Sequence, residues 1–531
     1  MRKIISKTSI VLFAAALFMV GCKNETEQVF KLEMPEYTGE DKTTFGAGNT
    51  TLWTAGDPVL INSTSGNVQS SSSISFSSPI SPINNMFYSF YAGRATDPSF
   101  NETNCSYTFT MPTSYTYTAN QLQAPMVGQC SYIGPNAVHT IIYSNICTLL
   151  KLEFVVIPDQ VTITSENSAL AGVFTETYAN GEWTLTAPAA TSANKTLTIS
   201  NPNYASVMYV PLPAGQHKLT ITGKTFTKVM NQTVNMQKGV FYAIKCAHKF
   251  SVSASRQVFF SPGNFEYYNR SDYGSIANWG GDMGNFYTDD RADCARFSPN
   301  QWDRKLAANR QEGRYGLITR AVPATNTWID LFGWGTGTIP GYNRADAAST
   351  SATIGYDQFN DWGTFYGDKL NNNSHCVGSW FTLSRTQWSY LLNLTSNDKR
   401  SGKCRIGSVN GVNGLIIAPD DFNQSLPQTI SSTDFVNNYQ KKGVVFLPAG
   451  GHMNYLANVN HSWGFSQEVN GYWTSTPVSG ESFDYRKAYH VSLPNSNSGS
   501  PTIAVESMCR TALNNGNRPG KINVRLVQYA N

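Results

Sequence analysis

Seven histidines, nine cysteines and a few acidic pairs are the side chains of this 531-residue chain with the means to do chemistry. The histidines are His139, His217, His248, His375, His452, His461 and His490. No two of them stand at the His-Glu-x-x-His spacing that puts two imidazoles on one helix face. Each suits a surface or hydrogen-bonded role better than a ligand role. There is no Gly-x-Ser-x-Gly elbow to raise a nucleophile and no glycine-rich phosphate loop. Asp289-Asp290 and Asp420-Asp421 offer hard oxygens of the kind calcium takes, but adjacent aspartates are also common turn residues. No metal and no cofactor is expected. Trp279, Trp302, Trp362 and Trp463 lie in polar stretches rich in Gly, Asn and Asp. Exposed there, they would stack on a sugar or anchor a protein partner; the alternative is that they are buried loop anchors.

Beyond Cys22 the cysteines are Cys105, Cys130, Cys147, Cys246, Cys294, Cys376, Cys404 and Cys509. None forms a Cys-x-x-Cys and none has zinc-finger spacing with histidine. Disulfides are permitted in an oxidising exterior, yet apolar neighbours such as those in Ile146-Cys147-Thr148-Leu149 equally suit buried thiols. The pairing stays open.

The elements that must position these residues are foreshadowed by composition. Charged residues make up 14% and aromatics 12%, with 42 Gly and 24 Pro. An average soluble protein has about 25% charged residues, so long salt-bridged helices and charge-driven disorder are both excluded. Arg2, Lys3 and Lys7 belong to an N-terminal leader, and removing those three leaves +1 of the formal +4. A near-neutral chain has no general attraction for nucleic acid.

That leader, residues 1–21, has a basic start followed by the apolar run from Ile10 to Val20. The run falls short of the roughly 20 residues that span a bilayer and suits a secretion signal. It ends in Met19-Val20-Gly21-Cys22, which resembles a bacterial lipobox, with Cys22 as the acylated first residue of the mature protein. Residues 22–44 are then a lipidated tether and first strand. Lys23-Asn24-Glu25-Thr26-Glu27 resembles the tether that directs lipoproteins to the outer face of the outer membrane in Bacteroidetes. The expected location is the cell outer membrane, lipid-anchored and surface-exposed.

From Trp53 onward the pattern is strand and turn. Tyr107–Met111 and Leu150–Phe154 alternate with period two. Asn180-Gly181 between Thr175–Tyr178 and Trp183–Thr186 predicts a tight hairpin. The phrases Leu52-Trp53-Thr54-Ala55-Gly56-Asp57, Val161–Ser165, Leu170-Ala171-Gly172, Tyr209–Gly215 and Lys238–Tyr242, in that order, resemble the fimbrillin family of Bacteroidetes fimbrial lipoproteins. The resemblance covers about residues 30–248. It implies two transthyretin-like β-sandwiches, 45–147 and 148–248, and maturation by cleavage that removes a first strand. It also implies assembly with other fimbrial subunits by donor-strand insertion. Lys31 and Lys42 are candidate cleavage points.

Residues 249–531 differ in character. Ser384-Arg385-Thr386-Gln387 reads as a capping box, and Trp388, Leu391 and Leu392 share the face of the helix that follows. A second helix is expected over Asp434–Lys442, closed by Gly443. Strand runs around these helices make the segment α+β. Phe259–Phe265, Trp328–Gly335, Leu383–Trp388, Gly443–Pro448, Tyr472–Thr476 and Val524–Val527 resemble the C-type-lectin-like domains related to formylglycine-generating enzymes and the major paralogous domain. Those enzymes use a cysteine pair near the C-terminus, since two thiolates make a soft copper site. Here Cys509 stands alone, with Ala504 five residues before it, so no enzymatic activity is expected. The Glu-Pro-Asn or Gln-Pro-Asp and Trp-Asn-Asp motifs of calcium-dependent sugar binding are missing as well.

The whole chain thus reads as mainly β: two sandwiches followed by an α+β C-type-lectin-like domain. It is expected to be a fimbrial tip or accessory subunit, an adhesin whose last domain binds a host or bacterial surface protein or glycan. A solitary surface-binding lipoprotein that never polymerises is the alternative.

Overall fold

The computed structural model describes residues 28–33, 55–69, 73–119, 123–269, 292–305, 327–332, 361–456, 462–466, 470–478, 487–494, 499–507 and 522–530. It is mainly β, as expected, with two ordinary helices of more than one turn, Trp362–Ser374 and Arg385–Leu391, among those residues.

The first sandwich is built on a seven-stranded sheet. Its spatial order is Thr64–Asn67, Pro58–Ile61, Met86–Tyr91, Met126–Ser131, His139–Asn145, Gln28–Glu33 and Ser73–Phe76. Alternation along Gln28–Glu33 sends Phe30 and Leu32 into the core, while Lys31 faces outward. That first strand runs parallel to His139–Asn145 and antiparallel to Ser73–Phe76, so it is paired along both edges. A second sheet, in the order Glu182–Thr186, Gly172–Ala179, Ser106–Met111, Thr96–Asn101, shares the same core. Phe30, Phe87, Phe90, Tyr107, Phe109 and Phe174 form much of it.

The second sandwich places Cys147–Phe154 between Val207–Pro213 and Phe241–Cys246. Opposite lie Thr227–Val229, Leu219–Thr222, Gln160–Ser165, Thr196–Ser200 and Ser114–Thr116. The shared core includes Leu150, Leu152, Val161, Ile163, Leu197 and Val210.

The boundary expected between 147 and 148 does not separate two self-contained units. The hairpin 172–186 crosses back to pair with Ser106–Met111, setting Phe174 opposite Phe109. In exchange Ser114–Thr116 joins the sheet of the second sandwich. Burial explains the exchange: Phe174, Trp183 and Leu185 pack against the first core. The hairpin's fully buried Glu176 meets Lys238 at 2.5 Å. At the hairpin tip Asn180 and Gly181 have φ of 54° and 90°, the left-handed pair that a two-residue turn demands.

After residue 249 the sheets are short and the helices appear. Ser384 caps Arg385–Leu391 in a full capping box with Gln387, as the sequence indicates, and Trp388 and Leu391 are buried. The segment 432–442 is helical but irregular. A single α-turn (Ser432–Asp434), a π-turn (Phe435–Tyr439) and a 3-10 turn (Gln440–Lys442) end at Gly443 with φ of 82°. The last strand, Leu526–Tyr529, lies between Gln257–Phe260 and Phe381–Thr382.

The second sandwich and the α+β region are joined directly. Val156 forms a β-bridge with Cys376. The Ile157 N–H donates to the His375 carbonyl at 2.7 Å, and the Val377 N–H to the Val155 carbonyl at 3.0 Å. The His375 ring stacks on Tyr204 at 3.6 Å.

Candidate functional site

The sheet made of Phe265–Asn269, Ala295–Phe297 and Thr327–Ile329 carries aromatic, acidic and basic side chains on one face. One side is core: Phe265, Tyr267, Ala295 and Phe297 are buried. By strand alternation, Glu266, Tyr268, Arg296 and Trp328 occupy the other. Register pairs Glu266 with Arg296 and Tyr268 with Trp328. The Arg296 Nε donates to Glu266 Oε2 at 2.8 Å, and its guanidinium carbon lies 3.9 Å from the Trp328 ring centroid. Tyr268 meets Trp328 edge to face at 5.2 Å. Lys305 Nζ stands 3.7 Å from both Glu266 and Asp303. Asp330 takes the Lys305 backbone N–H at 3.0 Å.

Glu266 is almost wholly buried. Desolvation pushes its carboxyl up to about 7, against the pull of Lys305 and Arg296. The face therefore joins two half-buried aromatic rings to a carboxyl group and two cations on one sheet. Such a surface can stack against a sugar ring or a planar side chain and hydrogen-bond its polar rim.

The four tryptophans singled out in the sequence are not brought together. Trp362 starts the helix Trp362–Ser374 and is 1% exposed in a core with Phe265, Phe332 and Tyr366. It is a core residue, which overturns its reading as a ligand contact. Its polar neighbours misled because Asp361 is the N-cap, accepting the Gly363 N–H. Trp302 is half-buried against Phe435 in a satellite core. Trp463 lies on the strand Ser462–Ser466, opposite Tyr455, and Trp279 lies outside the described residues. Trp328 and Tyr268 were missed as site residues. The alternation in Phe265-Glu266-Tyr267-Tyr268 was the signal that would have marked one of them.

Asp420 and Asp421 both bond protein groups. Asp420 accepts from Ser251, Gln257 and Arg400. Asp421 faces Lys228 at 3.4 Å and His248 at 3.3 Å. Asp289 and Asp290 lie outside the described residues. Among those residues no three His, Cys, Asp or Glu side chains gather as a metal site. His217 is buried between Ser165 and the Pro213 carbonyl. Cys105, Cys130, Cys147, Cys246, Cys376 and Cys404 are free thiols, and burial pushes Cys130, Cys147 and Cys246 up to about 12. Cys509 lies outside the described residues.

The first strand is the second place where sequence and structure meet. Phe30 packs on Phe87 at 5.0 Å and His139 at 5.4 Å, and Gln28 Oε1 accepts the Ile80 N–H at 2.7 Å. Lys31 sits mid-strand, exposed in its side chain but flanked in register by Thr140 and Ser73. Lys42 and Cys22 lie outside the described residues. No helix among the described residues is long and apolar enough to cross a membrane.

No family model matches the chain, and no curated protein does. Solved structures are similar to part of it. A candidate cell adhesion protein from Bacteroides ovatus is 12% identical over 41% of this chain and 92% of its own, with a TM-score of 0.28. Candidate polysaccharide-binding proteins from Bacteroides thetaiotaomicron are 10% identical over 44% of this chain and 96% of their own, at 0.23. A fimbrial assembly protein from Parabacteroides distasonis is 11% identical over 44% and 94%, at 0.20. At such scores no residue or activity carries across.

Proposed function

We propose that this protein is a surface adhesin of a Bacteroides-like cell, acting as the tip or an accessory subunit of a fimbria. The observation that carries the reading is the contrast between its first and last strands. Gln28–Glu33 is one short strand in a sheet, contributing Phe30 and Leu32 to a core that another strand of the same pattern could complete by β-augmentation. Leu526–Tyr529 is paired on both edges, as the first strand is, but its neighbour Arg525 is fully buried with bonds to Ser261, Asn264 and Gln301, which tie it into the core of its own domain. Donating that strand to another subunit would dismantle its own domain. A subunit that accepts but does not donate belongs at an end.

The α+β domain is then the adhesive part, and the face formed by Tyr268, Trp328 and Arg296, with Glu266 buried behind Arg296, is its contact surface for a protein or glycan. Immunogold labelling of intact cells with antibody to residues 250–531 tests the placement. Gold at the distal ends of fibres supports it; regular labelling along the shaft defeats it.

One observation favours the alternative of a solitary, uncleaved lipoprotein. Lys31 lies within a strand hydrogen-bonded on both sides, so a protease reaches it only after local opening. Sequencing the mature N-terminus separates the two readings: a start beyond Lys31 means cleavage, and an acylated Cys22 means retention.

A further inference from the structure

At the end of the first sandwich where the first strand begins, two segments lack charge, and one of them holds exposed apolar side chains. Because Gln28–Glu33 runs parallel to His139–Asn145, its N-terminal end lies beside the turn that precedes His139. Pairing of Gln28 with Phe76 brings the segment 77–85 to the same end. Gln28 Oε1 binds the Ile80 N–H there, and the Tyr132 N–H donates to the Asn85 carbonyl at 2.8 Å. Neither Ser77–Asn85 nor Tyr132–Val138 contains a charged residue. Ile133 is 67% exposed and Val138 47%, with Ile142 nearby on the outer face at 59%. The Ile133 backbone N–H is held by the His139 ring. The turn is thus braced in a conformation that keeps its apolar side chains outside.

Chain length identifies what lies opposite. Gln28 is six residues beyond Cys22, and six residues reach at most about 20 Å. An acyl group on Cys22 therefore holds a bilayer within about that distance of this end. We propose that the turn Tyr132–Val138, through Ile133 and Val138, rests in the lipid interface of the membrane that anchors the chain. The proposal rests on acylation of Cys22 and concerns the uncleaved protein. Entry into the interface costs no desolvation of charge, because the two segments carry none. Two weak attachments, an acyl anchor and an apolar contact, also fix orientation where one would leave the body free to swivel.

The test uses the full acylated chain in phosphatidylethanolamine–phosphatidylglycerol vesicles that contain a phosphatidylcholine with a diazirine in its acyl chain. After illumination, cross-links are mapped by peptide mass spectrometry. The expected result is cross-linking to the peptide that contains Ile133 and Val138, reduced about tenfold in the Ile133→Ser/Val138→Ser variant as two apolar side chains are lost. Both positions are exposed, so the variant folds, and circular dichroism verifies this. An acylated Cys22 with cross-links confined to the N-terminal lipopeptide, or with equal loop yield in the variant, overturns the proposal alone. An unacylated Cys22 overturns it together with the lipoprotein reading.

Discussion

Glu266 holds an uneasy balance between burial and its two cations, and the balance has a pH signature. Its folded-state carboxyl is pushed up to about 7 by desolvation; an unfolded glutamate titrates near about 4.3. Between those values the folded chain keeps a proton that the unfolded chain releases. Stability therefore falls as pH rises through that window. Glu266→Gln should remove this component, so the urea midpoint of the wild type should fall relative to that of the variant between pH 5 and pH 7.5. Parallel profiles would show that Glu266 stays ionised in its pair with Arg296. Trp328→Ala at the same face should abolish ligand attachment with little loss of stability, since the ring is only half-buried; a glycan or cell-binding assay reads it. Neither residue was legible as a site in the sequence. Trp362 looked like the better candidate because polar neighbours suggest exposure, whereas the polar residue that matters, Asp361, is polar in order to cap a helix. Local composition cannot separate a cap from a ligand loop.

Elements whose logic is local were legible. The Asn180-Gly181 turn and the Ser384 capping box rest on residues within a few positions of each other, and both are formed. Ser384→Ala should cost about 1 kcal/mol of domain stability, measurable as a small fall in thermal midpoint. Exchange of the hairpin 172–186 and the strand Ser114–Thr116 between sandwiches was not legible, because it depends on contacts such as Phe174 with Phe109, 65 residues apart. Alternation gives the buried face of a strand but not which sheet receives it. The same reasoning makes the first strand testable. Phe30 is its main holdfast, so Phe30→Ala should cost about 3–5 kcal/mol. Because cleavage at Lys31 requires the strand to open, the trypsin rate there should rise by at least about tenfold, as the open fraction grows with that loss. An unchanged rate would mean that the strand is already open before attack.

At the scale of the whole molecule, the second sandwich and the α+β domain are joined by backbone pairing at 155–157 with 375–377, by the Tyr204–His375 stack, and by Asp421 between Lys228 and His248. A flexible linker would let an adhesive domain tilt freely under load; this junction carries force through hydrogen-bonded chain. It should also unfold cooperatively with its neighbour. Burial alone would raise the Asp421 carboxyl, but the hydrogen bond and charge of His248, with Lys228, hold it at about 2. An aspartate whose folded pKa lies below its unfolded value of about 3.9 contributes stability above that value, and the contribution is lost as pH falls toward 2. Calorimetry should therefore show one transition for the joined pair at pH 7, with the α+β part separating as pH is lowered below about 4. The Tyr204→Ala/Asp421→Asn variant should show the two transitions already at neutral pH and lose less on acidification. A variant that still melts as one unit would place the coupling in the backbone bridge at Val156–Cys376 and leave the side-chain contacts as bystanders.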